Sequence, residues 1–417
     1  MDIAARRRKF CAMTSRPEVR FLDRTTPPHI LTLVLFAGLS AMAMNVFLPS
    51  LPSMTAYFET EYRVMQLSVA LYLAMNAGLQ LLIGPISDRY GRRPVILWSA
   101  MLFVLATIGC ILAPTAEVFL GFRMAQAVIV TGMVLSRAIV RDMVPEAEAA
   151  SMIGYVTMGM AVVPMIGPAI GGVLDELFGW QANFIMLALG GVLVWLVAWA
   201  DQGETAAGGA TSLRAQIAQY PELLRAHRFW GYALTAAFSS GAFFAYLGGA
   251  PFVGAQVYGL APAALGLYFG APALGYALGN FLSGRYSVRL GINRMVLLGS
   301  ALCAAGLAVS LVLSLSGISS ALLFFGFMTF VGLGNGLVLP NATAGLLSVR
   351  PHLAGTASGL GGAIMIGGGA ALSALAGALL KPGSGALPLQ WIMALTSGAA
   401  VLSILYVLRR ERQLARA

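Results

Sequence analysis

The sequence predicts an all-α membrane protein of twelve spanning helices. Three observations carry that prediction. Of 417 residues, 59% are hydrophobic and only 10% are charged, with a mean hydropathy of +0.82, whereas soluble domains carry about 25% charge. Apolar runs of about 20 residues, the length that crosses hydrocarbon, recur from one end of the chain to the other. Arg and Lys gather in alternate connecting segments, the pattern of a multi-pass membrane protein. Runs of that length are too long for barrel strands, and only a helix satisfies its own backbone in lipid.

Residues 1–28 are polar and basic, with Arg6, Arg7, Arg8, Lys9, Arg16, Arg20 and Arg24, and read as a disordered cytoplasmic tail. No apolar core follows the arginines directly, so a cleaved signal is not expected. The spans are placed at 29–49, 64–84, 94–113, 118–140, 150–174, 181–200, 229–249, 262–284, 293–315, 319–340, 353–379 and 388–408. A charged, Gly-rich central loop, 201–228, divides one six-helix bundle (29–200) from another (229–408), and 409–417 forms a second cytoplasmic tail. With the N-terminus inside, the outer loops carry only Arg63 and Lys381, so both termini are expected to face the cytoplasm. The net charge of +10 therefore reflects topology and not a nucleic-acid footprint. Cys11, Cys110 and Cys303 lie far apart and offer neither a disulfide framework nor metal-ligand spacing.

The stretch GPISDRYGRRPVIL, Gly84 to Leu97, stands between the second and third spans. Each charge at the bilayer centre costs roughly 2.5–3.5 kcal/mol, so the run is expected as a short hydrophilic turn. Gly84 and Gly91 allow a tight turn, and Pro94 suits the first turn of the next helix. Asp88 is the one acid among Arg89, Arg92 and Arg93 and is placed to pair with a neighbour. Shifted by 200 residues, GRYSVRLGINRMVL matches at Gly284, Arg289, Gly291 and Leu297, with Val288 in place of the acid. The repeat follows the second and eighth spans and argues for duplicated halves.

The run at Gly84, Asp88, Arg89, Gly91, Arg92 and Arg93 resembles the G-x-x-x-D-R-x-G-R-R loop between helices 2 and 3 of the major facilitator superfamily. The resemblance implies a gate that braces the helices in one conformation and releases them in the other. NVFLPSLP at Asn45–Pro52 resembles the bicyclomycin-resistance and chloramphenicol-efflux (Bcr/CflA) family within it. So do SRAIVRD at Ser136–Asp142, APFV at Ala250–Val253, LPNATA at Leu339–Ala344 and HLAGTASGL at His352–Leu360. In the fifth span, Pro164, Gly167, Pro168, Gly171 and Gly172 resemble the antiporter motif of drug-exporting members. Tight helix packing alone is the other reading of those residues.

Arg123 lies six residues from Glu117, about 9 Å along the fourth span. A charge at that depth is functional by default; snorkelling of the side chain to the interface is the alternative. It resembles the buried arginine of the family's fourth helix, linked there to proton coupling, with Gln126 beside it. Arg137, Arg141 and Asp142 form an interfacial cluster at the other end of that span, where Asp142 or Asp88 is placed to bind either arginine. Tyr72, Asn76 and other polar residues in the spans line a central cavity or form interhelical hydrogen bonds.

One departure stands out. Many relatives carry an acid where this chain has Asn45, and Asn45 cannot titrate. No Asp or Glu occurs between Glu222 and Glu411, so a proton site would move to Asp88, Asp142, Glu59, Glu61, Asp175 or Glu176. If Asn45 and Arg123 share a cavity, the missing counter-ion favours neutral or anionic substrates over cations.

No P-loop, nucleophile constellation or metal cluster appears, so the chain is not expected to be an enzyme or to hold a cofactor. The expected function is efflux of small amphipathic compounds across a bacterial inner membrane by a monomer, with protons as coupling ion. A proton-independent facilitator and a non-transporting membrane receptor are the other classes open to this sequence.

Overall fold

The computed structural model describes residues 19–144, 166–206 and 213–414, together with 152, 156 and 163. The described residues are helical almost throughout. The chain runs through α1 (Ile30–Asn45), a one-turn 3-10 helix (Leu48–Ser50), α2 (Leu51–Tyr57), α3 (Tyr62–Tyr90), α4 (Arg92–Ile111), α5 (Ala116–Gln126) and α6 (Thr131–Met143). A helical segment at 166–178, here α7, precedes α8 (Gln181–Asp201) and α9 (Leu213–Leu224). Then come α10 (His227–Phe252), α11 (Pro262–Tyr268), α12 (Gly270–Leu290), α13 (Ile292–Leu315), α14 (Ala321–Ser348), α15 (Ala354–Leu379) and α16 (Leu387–Leu414).

Ten of these elements or continuous pairs are long and apolar enough to cross a membrane, among them Ile30–Tyr57, Ala116–Met143 and His227–Val257. Two further expected spans fall short of that measure for different reasons. Most of 150–174 lies outside the described residues. The helix expected at 262–284 is interrupted at Phe269, and the longer piece, α12, has the length but carries Asn280, Arg285 and Arg289. The surface is apolar as lipid requires: Trp98, Leu112, Leu189, Leu322 and Leu402 all stand outward and exposed. Cys110 and Cys303 are buried free thiols.

The hydrophilic turn expected over Gly84–Arg93 is much shorter than its polar run. α3 continues as helix to Tyr90, and Gly91 alone, at φ 93°, separates it from α4. The physical reason is length. The 29 residues of α3 span about 43 Å against about 30 Å of hydrocarbon, so the charged last turns emerge while still helical. Gly291 makes the corresponding turn at φ 81°. The matched backbones carry the 200-residue repeat into three dimensions.

Residues 19–28 differ from the disordered tail expected for 1–28. They fold back on the end of α8, where buried Asp201 accepts the backbone N–H of Leu22 at 2.7 Å and of His29 at 2.8 Å. Its carboxylate also takes the Thr32 hydroxyl at 2.6 Å. One acid thus satisfies donors in the first turn of α1 and fixes the segment before it. The central loop 201–228 likewise contains α9, whose Glu222 meets Arg350 at 3.0 Å and His352 at 3.2 Å.

The helices before residue 206 and those after 213 meet at the end of the molecule opposite the described termini. There Tyr62 donates to the Gly248 carbonyl at 2.7 Å, and Gln66 donates to the Ser373 carbonyl at 2.7 Å and hydroxyl at 2.8 Å. The Ala263 N–H reaches Glu176 at 3.2 Å. α3 and α15 lie against each other beyond that end as well, where Gly362 faces the side chain of Gln80, about 21 Å along α3 from Gln66.

Candidate functional site

Arg123 is among the largest fully buried side chains of the described residues. It does not snorkel. α5 points it between α1 and α3, where Nη2 donates to the Ala43 carbonyl at 2.8 Å and Nε to the Ser68 carbonyl at 3.3 Å. Nη1 donates to Oε1 of Gln126, one turn along. The guanidinium is sandwiched between aromatic rings, 4.3 Å from the Phe47 centroid and 4.1 Å from that of Tyr72. Among the described residues no carboxylate pairs with it. An unpaired buried charge costs several kcal/mol. Two ring faces at about 2 kcal/mol each when desolvated, with three acceptors, offset much of that cost.

Gln126 extends the network. Its Nε2 donates to the Thr107 hydroxyl at 2.8 Å, which in turn donates to the Phe103 carbonyl at 2.6 Å. Asn45 is buried on the same stretch of α1, between the Ala43 and Phe47 that hold Arg123. Its Nδ2 donates to the Ala41 carbonyl at 2.8 Å, and no hydrogen bond joins it to Arg123. The Tyr72 hydroxyl is buried without a partner. Asn76 accepts from Gln80 at 2.9 Å, so it bonds along its own helix. The site is therefore a buried cationic, aromatic cluster whose oxygens come from carbonyls, amides and hydroxyls.

The charged turn assembles a second cluster at the opposite end. Arg92 is nearly buried and pairs with Asp88 at 2.6 Å and Asp142 at 3.1 Å, and it also meets the Ser87 hydroxyl. Both acids expected to face Arg137 or Arg141 are thus turned to Arg92. Arg141 is exposed and forms no ion pair among the described residues. Arg89 lies over the ring of Tyr90 at 5.4 Å. Arg93 donates to the Trp199 carbonyl at 3.1 Å. Nothing crowds Gly84.

Sequence reasoning missed Glu204, which completes this cluster. It accepts the backbone N–H of Arg92 at 2.8 Å and of Arg93 at 3.2 Å, capping α4 from beyond the end of α8. The second half has a counterpart in Glu411, which meets Arg228 at 2.7 Å and the Asn293 amide at 2.6 Å. The residue following Gly291 by two is Asn293, as Arg93 follows Gly91.

The glycines of α7 lie at helix contacts. Gly171 abuts the backbone of α1 at Val46, and Gly172 abuts the Pro262 carbonyl at the start of α11. Gly167 faces the Met42 sulfur, and the Pro168 carbonyl faces Gly266. Pro164 lies outside the described residues. Asp175, at the end of the same segment, is buried and accepts the Ser53 hydroxyl at 2.9 Å.

Long apolar helices around a buried arginine, with matching turns at Gly91 after α3 and at Gly291 after α12, are the features to set beside known membrane proteins. Residues 33–374 match the model of the Major Facilitator Superfamily. The chain belongs to that superfamily, on its bicyclomycin-resistance and chloramphenicol-efflux branch, and is a transporter family member and not an enzyme. It is 32% identical over 345 residues to a chloramphenicol resistance protein of Pseudomonas aeruginosa, covering 81% of each chain. It is 26% identical over 364 residues to a bicyclomycin resistance protein homolog of Haemophilus influenzae, covering 85% of this chain and 89% of that one. Its fold is similar to that of a D-xylose–proton symporter, with TM-score 0.76 and 15% identity over 91% of this chain and 96% of the symporter. The protein is a multi-pass membrane protein of the drug-efflux type.

Proposed function

We propose that this chain exports small amphipathic compounds of the amphenicol kind across the bacterial inner membrane by alternating access, as a monomer of twelve helices in two six-helix bundles. The observation that carries the reading is the buried cluster around Arg123. A buried cation faced by Phe47 and Tyr72 suits a neutral or anionic aromatic solute carrying hydroxyl or carbonyl groups. The name of the Pseudomonas aeruginosa relative points to the same class of compound. With both termini in the cytoplasm, the sealed end at Tyr62–Gly248 and Gln66–Ser373 is the outer one. The Arg92 cluster then guards the cytoplasmic end.

Proton antiport is the proposed driver, with Asp142 and Asp175 the acids to vary first. Asp142 belongs to the Arg92 cluster, and Asp175 accepts from Ser53 beside the Glu176 that reaches Ala263. The second reading, a facilitator without proton coupling, is favoured by Asn45, whose amide cannot take up a proton.

The test uses purified protein in liposomes under an imposed pH gradient, with labelled chloramphenicol and a protonophore. Uptake that collapses with the gradient establishes antiport. Uptake that equilibrates regardless establishes the facilitator. Absence of flux for chloramphenicol and for other neutral amphenicols would overturn the substrate class.

A further inference from the structure

A groove of about 470 Å³ opens between the end of α8 and the start of α4. Its floor and walls include Leu97, Trp98, Trp195 and Trp199, and its rim carries Arg24 and Arg93. Two-thirds of Trp98 and half of Trp199 are exposed. The transport reading leaves this groove without a role.

The charges at the rim are uncommitted. Arg24 reaches the site because Asp201 pins Leu22 and His29 on either side of it. Its guanidinium lies 5.8 Å above the Trp199 ring. Arg93 donates one hydrogen bond, to the Trp199 carbonyl, and its Nε has no partner. Neither guanidinium meets a carboxylate among the described residues. Glu204 is near, but its two oxygens are occupied by the backbone N–H groups of Arg92, Arg93, Thr205 and Ala206. The same contacts cap the first turn of α4, so the open anion-binding capacity lies in the two side chains.

The depth of these residues matches one kind of occupant. Arg93 is the second residue of α4, and Trp98 lies five residues further in, about 7.5 Å along the axis. Trp195 and Trp199 occupy the last two turns of α8. Guanidiniums thus stand at the water boundary with indoles beneath them. Indoles prefer that boundary, and basic pockets between spanning helices bind anionic lipid headgroups. The volume suits a headgroup and its glycerol.

We infer that the groove between α4 and α8 binds an anionic phospholipid of the surrounding leaflet, its phosphate held by Arg24 and Arg93 and its glycerol and upper acyl chains lying on Trp98, Trp195 and Trp199. Because Arg24 belongs to the segment before α1 and Arg93 to the charged turn, the lipid bridges the two. Binding is independent of which solute the protein carries.

Tryptophan quenching tests this with the full chain in detergent micelles. Phosphatidylglycerol and phosphatidylcholine, each brominated on its acyl chains, are titrated separately. The expected result is saturable quenching at lower mole fraction for phosphatidylglycerol. Arg24→Gln should weaken that preference about fivefold, and Arg24→Gln/Arg93→Gln should remove it. Trp98→Phe should reduce the amplitude and leave the preference in place. Millimolar glycerol phosphate should not displace the lipid, because the indole contacts belong to the acyl chains. Equal quenching by the two lipids, or full preference retained in Arg24→Gln, overturns the site. Relief of quenching by glycerol phosphate would show that the groove recognises a free phosphate and overturns the lipid assignment. Arg24 lies outside the charged turn, so its variant tests the site even if the Arg93 variant does not fold.

Discussion

Glu204 accepts the backbone N–H of Arg92 at 2.8 Å, so a residue just past the end of α8 caps the helix that follows the charged turn. The same carboxylate takes the Arg93 N–H. Without it, the backbone N–H groups of Arg92 and Arg93 at the positive end of the α4 dipole lose their acceptor. Glu204→Ala should therefore lower stability by about 0.5–1 kcal/mol. Glu204→Gln should cost about half as much, since the amide keeps an acceptor and loses the charge. Thermal unfolding of the purified protein at low and high salt checks this. The penalty of the alanine variant should shrink as salt rises.

Arg92 serves Asp88, Asp142 and Ser87 at once, and its fork makes that possible. A lysine offers a point charge without the fork. Arg92→Lys and Asp142→Asn should each slow transport, and the double variant should be little worse than either. The expected coupling is about 1–2 kcal/mol, from a nearly buried arginine and a half-buried acid. A transport-rate cycle in liposomes measures it. Additive losses would mean that the two side chains act separately.

Much of the fold was legible because lipid imposes it. Apolar runs, turn glycines and the arginine asymmetry follow from solvation, so the spans around α4, α8 and α13 follow from composition. What was hidden depends on polar contacts between distant residues. Asp201 holds Leu22 across 179 positions and Glu204 holds Arg92 across 112. A backbone N–H has no sequence signature, so neither acid could be matched to its partner. Arg123 illustrates both sides. Its depth was readable from its place in the span, but two of its acceptors are carbonyls, of Ala43 and Ser68. The break at Phe269 was also unreadable: Gly270 and Pro272 nearby permit it, but similar residues elsewhere, such as Pro340, sit within continuous helix.

The glycines of α7 give a contrast that separates packing from general fragility. A methyl group on Gly172 would overlap the Pro262 carbonyl, which is backbone and cannot step aside. A methyl group on Gly167 would press on the Met42 sulfur at 3.2 Å, a flexible side chain. Gly172→Ala should cost the sealed arrangement about 1–3 kcal/mol, and Gly167→Ala well under 1 kcal/mol. Ser373→Cys, buried in the seam, reports the difference. Its labelling by a polar maleimide should rise about tenfold with Gly172→Ala and change little with Gly167→Ala.

Asn45 sits on α1 between the two residues that hold Arg123, with Ala43 giving its carbonyl and Phe47 its ring. Its amide is satisfied within the helix by Ala41. Replacing it with aspartate changes little in shape and adds one negative charge to the stretch of chain that holds an unpaired guanidinium. Two consequences should follow together. The net charge around Arg123 falls, so a cationic dye should be exported faster than by the native protein, while export of a neutral amphenicol drops. The cluster also gains a group that takes up a proton, so flux should become steeply dependent on the imposed pH gradient. Uptake of both compounds by Asn45→Asp, measured with and without a protonophore, decides the matter. If the variant gains proton dependence without cation transport, the residue couples protons but does not select solutes. If it gains neither, Arg123 is held by its carbonyls and rings so firmly that position 45 does not sense its charge.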